Sequence, residues 1–148
     1  MTSYCLTAAQ LTQTFNHFRA CGRGRHECQV LWVSEWDNPG TITGVVHGEH
    51  RAHSGGFELS SAWLNAFWLD LAATRSGVRV QVHTHPHKAF HSPIDDAFPI
   101  VQTPGFLSLV IPDFAMGPVS LDGSFLAEIT HSGIWQGIEP SSRIVVVS

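Results

Sequence analysis

Apolar residues recur along this chain with two different periods, and the switches between them predict the order of its elements. Leu11, Phe15 and Phe18 fall on one face of a helix over 6–19 that ends near Cys21-Gly22, where glycine can cap it. Residues 27–36 and 41–47 read as two strands joined at Asn38-Pro39-Gly40, a turn signal suited to a hairpin. Residues 48–56 are polar, with His50 and His53 among glycines, and read as a flexible loop before a short strand over 57–59. Ser60 or Ser61 caps a helix through Thr74, whose stripe of Trp63, Phe67 and Leu71 reads as core rather than as a ligand box. Gly77 ends that helix. Val78, Val80 and Val82 then alternate with Arg79 and Gln81, the period-two pattern of a strand running toward His83. The apolar run 106–111, bounded by Pro104-Gly105 and Pro112, predicts a central strand buried on both faces. Runs 125–130, 134–137 and 144–147 read as shorter strands of the same sheet. Val145-Val146-Val147 could serve as an edge strand for a partner, although pairing within the chain is the simpler reading. With no repeat or low-complexity linker, residues 1–148 read as one α/β domain.

The candidate chemistry lies where the Val78–Val82 alternation ends. His83-Thr84-His85-Pro86 is followed by Ser92-Pro93-Ile94-Asp95. Side chains two apart on a strand share a face, so His83 and His85 can converge on one ion, and Pro86, lacking an N–H, stops the ladder. Ser92 has the chemistry of a helix N-cap with Pro93 at the first helical position, which puts Asp95 in the first turn of a short helix. Two imidazoles and a carboxylate leave the fourth tetrahedral position of zinc open to water, the arrangement of catalytic rather than structural sites. Zinc lowers the pKa of such a water toward about 7, so the site then needs only a proton acceptor. In a chain with ten histidines, an isolated His-x-His also reads as ordinary solvated or half-buried side chains. The proline stop, the Ser-x-x-Asp and an acid upstream shift that balance.

On these residues the chain resembles the JAMM/MPN (JAB-type) zinc metallopeptidases, whose signature is an upstream Glu, then His-[Ser/Thr]-His-Pro, then Ser-x-x-Asp. Glu27, in Arg25-His26-Glu27-Cys28-Gln29-Val30-Leu31-Trp32-Val33, fits the upstream position. The similarity runs from Glu27 to the 106–112 strand, and 90–99 looks like the small prokaryotic branch of the family. The resemblance implies an MPN (cytidine-deaminase-like) fold, a mixed β-sheet flanked by two main helices with a short helix after the metal strand. It implies one zinc ion held by His83, His85 and Asp95, with Glu27 as general base and Ser92 bonding the tetrahedral oxyanion or the water. Spacing from His85 to Ser92 is one residue shorter than in the commonest family form. Counting from His85 favours Asp96 as the ligand and counting from Ser92 favours Asp95. Asp95 is preferred, because it shares a rigid helical turn with Ser92 while a loop can lose a residue. Among other acids, Glu35 lies at the far end of the strand that Glu27 opens, and Asp37 and Glu58 read as facing solvent.

The resemblance also implies a substrate, the isopeptide or peptide bond after the C-terminal tail of a ubiquitin-like protein. Activating (E1-like) and conjugating (E2-like) enzymes are then its pathway partners, often in bacterial antiviral defence. An extended tail adds as a strand beside the active-site groove, with contacts expected from 48–56 and Phe90-His91. Alternatives are trimming of a sulfur-carrier protein, a non-catalytic scaffold of the same fold, and hydrolysis of a small amide.

Composition narrows the field further. At 43% hydrophobic content, 148 residues can bury their own core. A net charge of −4 with scattered Lys and Arg offers no basic stripe for nucleic acid. No apolar stretch reaches the ~20 residues of a membrane span and the N-terminus lacks a charged-then-apolar signal, which predicts a cytoplasmic enzyme without membrane contact. Cys5, Cys21 and Cys28 are odd in number, which argues against a disulfide framework, and none has a nucleophile's context. Cys28 reads as a small buried thiol, and without a Cys-x-x-Cys pair a structural zinc knuckle is not expected.

Overall fold

Thr7 does two jobs at the start of the chain. It ends strand β1 (Tyr4–Thr7) and caps helix α1 (Ala8–Gly22) in a reciprocal box: Thr7 Oγ1 accepts from the Gln10 N–H at 3.0 Å, and Gln10 Oε1 accepts from the Thr7 N–H at 2.9 Å. Leu6, expected in the helix, therefore belongs to β1. The helix buries Leu11, Thr14, Phe15 and Phe18, the predicted stripe. It ends at Gly22, where expected, but the left-handed residue that closes it is Arg23 (φ 52°), with Gly22 still helical. This computed structural model describes residues 2–53, 56–91 and 100–148.

Strands β2 (Gln29–Glu35) and β3 (Gly44–Val46) form the hairpin expected from Asn38-Pro39-Gly40. Within the expected loop, β4 (His50–His53) pairs with β5 (Gly56–Leu59) as a second hairpin. Helix α2 (Ser61–Ala73) is capped by Ser60, whose Oγ accepts from the Trp63 N–H at 3.3 Å. Strand β6 (Ser76–Thr84) takes in Gly77, the residue assigned to the helix end. The remaining strands are β7 (Leu107–Ile111), β8 (Phe125–Ile129), β9 (Trp135–Ile138) and β10 (Ile144–Val147).

Six strands form a mixed sheet in the order β3-β2-β6-β7-β8-β9, with β6 and β7 parallel and the other neighbours antiparallel. Every residue of β7 is buried, as expected for a central strand. β10 is not part of this sheet. It pairs in parallel with β1, Tyr4 opposite Ile144. Arg143 stands at this junction: its guanidinium bonds Glu128 of β8 at 2.7 Å and the Thr2 carbonyl, tying the chain ahead of β10 to both the main sheet and the N-terminal segment.

The helices cover opposite faces. Along β2, Val30 and Trp32 join the core with Leu11, Phe15 and Phe18 of α1, whereas Leu31 and Val33 join Phe67 and Leu71 of α2. Trp32 Nε1–H donates to Thr14 Oγ1 at 3.0 Å, so the largest buried side chain leaves no donor stranded. The short helix expected after β6 falls in residues outside those described. Among the described residues no helix is long and apolar enough to cross a membrane.

Candidate active site

The alternation of β6 places the two histidines. Val80 and Val82 point into the α1 core, so His83 lies on the opposite face, where Gln81 also sits. His83 and His85 are buried, 7% and 3% exposed, with ring centroids 5.2 Å apart, and the Nε2 atom of His83 is shielded from solvent. Antiparallel pairing of Gln29 with His83 brings the two residues before β2 alongside Thr84 and His85. Glu27 thus reaches His85, its Oε1 3.8 Å from His85 Nε2. Between the histidines, Thr84 turns the other way: its Oγ1 accepts from the Cys28 N–H at 3.0 Å while its own N–H donates to the Cys28 carbonyl at 3.1 Å.

The backbone of His85 is held at both ends. Its N–H donates to Ile111 O at 3.0 Å, and its carbonyl accepts from Phe114 N–H at 2.8 Å. The second bond is made possible by a left-handed turn through Asp113, Phe114 and Ala115 (φ 58°, 52° and 59°), a conformation costly for residues with a Cβ. Two imidazoles on one face, backed by a fixed main chain and faced by a carboxylate, fit the histidine part of a catalytic zinc site. Ser92, Asp95 and the alternative Asp96 lie outside the described residues. Glu35 is excluded as a partner of the histidines, because it pairs with Ser76 at the far end of the β2–β6 ladder, roughly 20 Å away at ~3.3 Å per residue. Asp37 and Glu58 are exposed, as expected.

A buried polar track that the apolar pattern concealed runs beside His83. Gln81 Nε2 donates to Ser108 Oγ at 3.0 Å, Ile100 N–H donates to Gln81 Oε1 at 3.2 Å, and His91 Nε2 lies 3.1 Å from Ser108 Oγ. Ser108 is one polar residue in an apolar run, and that interruption is the signal that could have found the track. His91 is also packed on Trp135, 4.6 Å between centroids, so it is an anchor, whereas Phe90 is half-exposed with its ring edge-on to His85 at 4.6 Å. A cleft of about 620 Å³ lined by Arg79, Phe106, Glu128 and Arg143 opens at the other end of β6 and β7, so cavity size does not locate this site.

Two expectations about cysteine are overturned. Cys21, at the end of α1, and Cys28, ahead of β2, are joined as a disulfide. Around them stand His50, with Nε2 3.0 Å from Cys21 Sγ, and His47, with Nε2 3.2 Å from Cys28 Sγ. Chain topology, rather than a short Cys-x-x-Cys spacing, brings the four together. Burial, then the neighbouring rings of His50 and His17, pull the His47 imidazole from 6.5 down to about 4.

Comparison with known proteins agrees with this architecture. The sequence is 34% identical over 114 residues to a Sinorhizobium fredii protein named probable metalloprotease y4jG, an alignment covering 69% of this chain and 66% of that one. The chain thus spans slightly under two thirds of that relative's length. A JAB1/MPN domain protein from Archaeoglobus fulgidus has a similar fold, with a TM-score of 0.57 at 11% identity over 99% of this chain and 100% of the other. A solution structure of a Desulfitobacterium hafniense protein superposes with a TM-score of 0.63 at 17% identity, covering 97% of this chain and 92% of the other. No protein-family model matches the sequence.

Proposed function

The chain belongs to the JAB1/MPN family, and from that premise we propose that it is a zinc-dependent peptidase that cuts the isopeptide or peptide bond after the C-terminal tail of a ubiquitin-like protein. One observation carries the hydrolytic part: the Glu27 carboxylate stands 3.8 Å from His85 Nε2, beside His83 on one strand end. The relative named probable metalloprotease supports the same class of chemistry. The ubiquitin-like substrate, with activating and conjugating enzymes as pathway partners, rests on the motif resemblance.

In this reading His83 and His85 hold the metal and Asp95 completes the set. Zinc, when bound, supplies Lewis-acid polarisation of the scissile carbonyl and acidifies water. Glu27 takes the proton of the attacking water and returns it to the leaving amine, a role worth ~10²–10⁴-fold in rate. Ser92 donates to the developing oxyanion. Asp95 and Ser92 belong to the stretch between His91 and Ile100, and both of those residues are tethered to the Gln81–Ser108 pair near His83. Phe90, exposed beside His85, offers an apolar contact for the tail.

The test pairs metal content with cleavage of a ubiquitin-like protein fused through its tail to a reporter. His83→Ala/His85→Ala loses about one zinc ion per chain relative to wild type, and so does Asp95→Ala but not Asp96→Ala. Glu27→Gln retains all the zinc and loses turnover by ~10²–10⁴-fold. A Glu27→Gln protein that cleaves at the wild-type rate, or a histidine variant with unchanged zinc, overturns the assignment.

A further inference from the structure

The side chains of Cys21, Cys28, His47 and His50 come from three separate stretches of chain: the end of α1, the segment leading into β2, and the run from the β3–β4 connection to the first residue of β4. Among the described residues these four form the group of thiols, imidazoles and carboxylates whose ligand atoms all lie within 4.8 Å of one another. Ligand atoms of a tetrahedral zinc site, with Zn–S ~2.3 Å and Zn–N ~2.0–2.1 Å, sit roughly 3.3–3.8 Å apart. The cluster therefore needs shifts of an ångström or so, within the range of side-chain rotation, to close on an ion.

Protonation sharpens the point. His50 Nδ1 lies 3.1 Å from the Gly48 carbonyl, which can only accept, so Nδ1 is the nitrogen that donates and Nε2 is the one turned to the sulfurs. Nε2 faces Cys21 Sγ at 3.0 Å. A cation shared between the sulfurs and the imidazoles accounts for the approach of both, and a backbone carbonyl holding the distal nitrogen is the usual outer support of a metal-bound histidine. Cys28 is fully buried, where a lone thiolate is costly and a metal thiolate is not.

We propose that Cys21, Cys28, His47 and His50 form a second metal site, a closed Cys₂His₂ zinc centre that is structural because all four positions are filled by the protein. It stands apart from the His83–His85 site and does not depend on it. Its place in the chain has a consequence, since Cys28 directly follows Glu27. The ion ties the segment bearing the proposed base to the end of α1 and to the β3–β4 connection. Disulfide and metal centre exclude one another. A dithiol reductant passes two electrons and two protons to the Cys21–Cys28 bond, becoming a disulfide itself, and zinc then displaces both protons from the sulfurs.

Cobalt(II) reads this site without reference to activity. The 148-residue chain is purified under a dithiol reductant without oxygen, stripped with a chelator and titrated with cobalt(II). The expected result is thiolate-to-cobalt charge-transfer absorption with the d–d bands of a tetrahedral site, retained in His83→Ala/His85→Ala and lost in Cys21→Ser/Cys28→Ser. Zinc content follows the same logic, about two ions per wild-type chain and about one in either double variant. Should the cysteine variant fail to fold, the wild-type spectrum decides. A reduced wild-type chain with three titratable thiols and no thiolate–cobalt absorption overturns the proposal, and so does a Cys21–Cys28 disulfide that resists the reductant. Thiolate absorption with only one zinc per chain leaves this centre standing and counts against the His83–His85 site; one zinc without thiolate absorption does the reverse.

Discussion

Thr84→Val isolates the bond that holds the Glu27 segment against the histidine strand. Thr84 is 1% exposed and Cys28 is 0% exposed, and the Cys28 N–H donates to Thr84 Oγ1 at 3.0 Å. Valine keeps the shape and removes the acceptor, so no cavity opens and the cost is a stranded buried N–H, ~1–3 kcal/mol. The added methyl returns up to ~0.8 kcal/mol of apolar burial. The net expectation is a loss of about 1–2 kcal/mol, which for a domain of this size lowers Tm by roughly 2–8 °C. Chemical denaturation of wild type, Thr84→Val and Thr84→Ser measures it. The same loss removes one of the two bonds between Cys28 and Thr84 and loosens the residue before Cys28, and a base displaced by ~1 Å costs up to ~10²-fold in turnover. Thr84→Ser keeps the acceptor and keeps the turnover. A valine variant as stable as wild type and as active as the serine variant would refute the claim that this side chain fastens the site.

Other outcomes follow from the same geometry. Arg143→Met leaves the Glu128 carboxylate without the guanidinium that bonds it at 2.7 Å, and a fall of ~3 kcal/mol in urea denaturation with unchanged zinc content is expected. Ser108→Ala removes the acceptor of the buried Gln81 amide and lowers stability by ~1–3 kcal/mol; an unchanged midpoint would mean that the polar track is dispensable. In chelator-treated protein, His47 is protonated near 6.5 when unfolded but only near 4 when folded, with burial and the rings of His50 and His17 responsible. The unfolded state then binds more protons, so stability is full above about 6.5 and falls as pH drops toward 4. Denaturation midpoints across that window should fall less steeply in His47→Asn than in wild type, and parallel curves would remove His47 as the cause.

Much of this protein was written into short-range pattern. The period of α1 follows from Leu11, Phe15 and Phe18, and the buried strand β7 from its apolar run. The shared face of His83 and His85 follows from their spacing of two, and the β2–β3 hairpin from Asn38-Pro39-Gly40. These features depend on neighbours a few residues apart, where backbone geometry alone sets direction. Glu27 was chosen by resemblance, and its approach to His85 depends on the register of β2 against β6. That register arises from packing two strands whose paired residues lie more than forty positions apart. Pairing of β10 with β1 joins the two ends of the chain, a contact across about 140 positions that no local pattern encodes. The Cys21, Cys28, His47 and His50 cluster was likewise invisible, because its ligands come from three elements and meet only when the sheet and α1 are packed. Sequence by itself determined α1, α2 and the strands of the main sheet and which of their side chains share a face, but not β1 or the β4–β5 hairpin. Tertiary structure decided which distant side chains meet, since burial rewards contacts according to position in space and not along the chain.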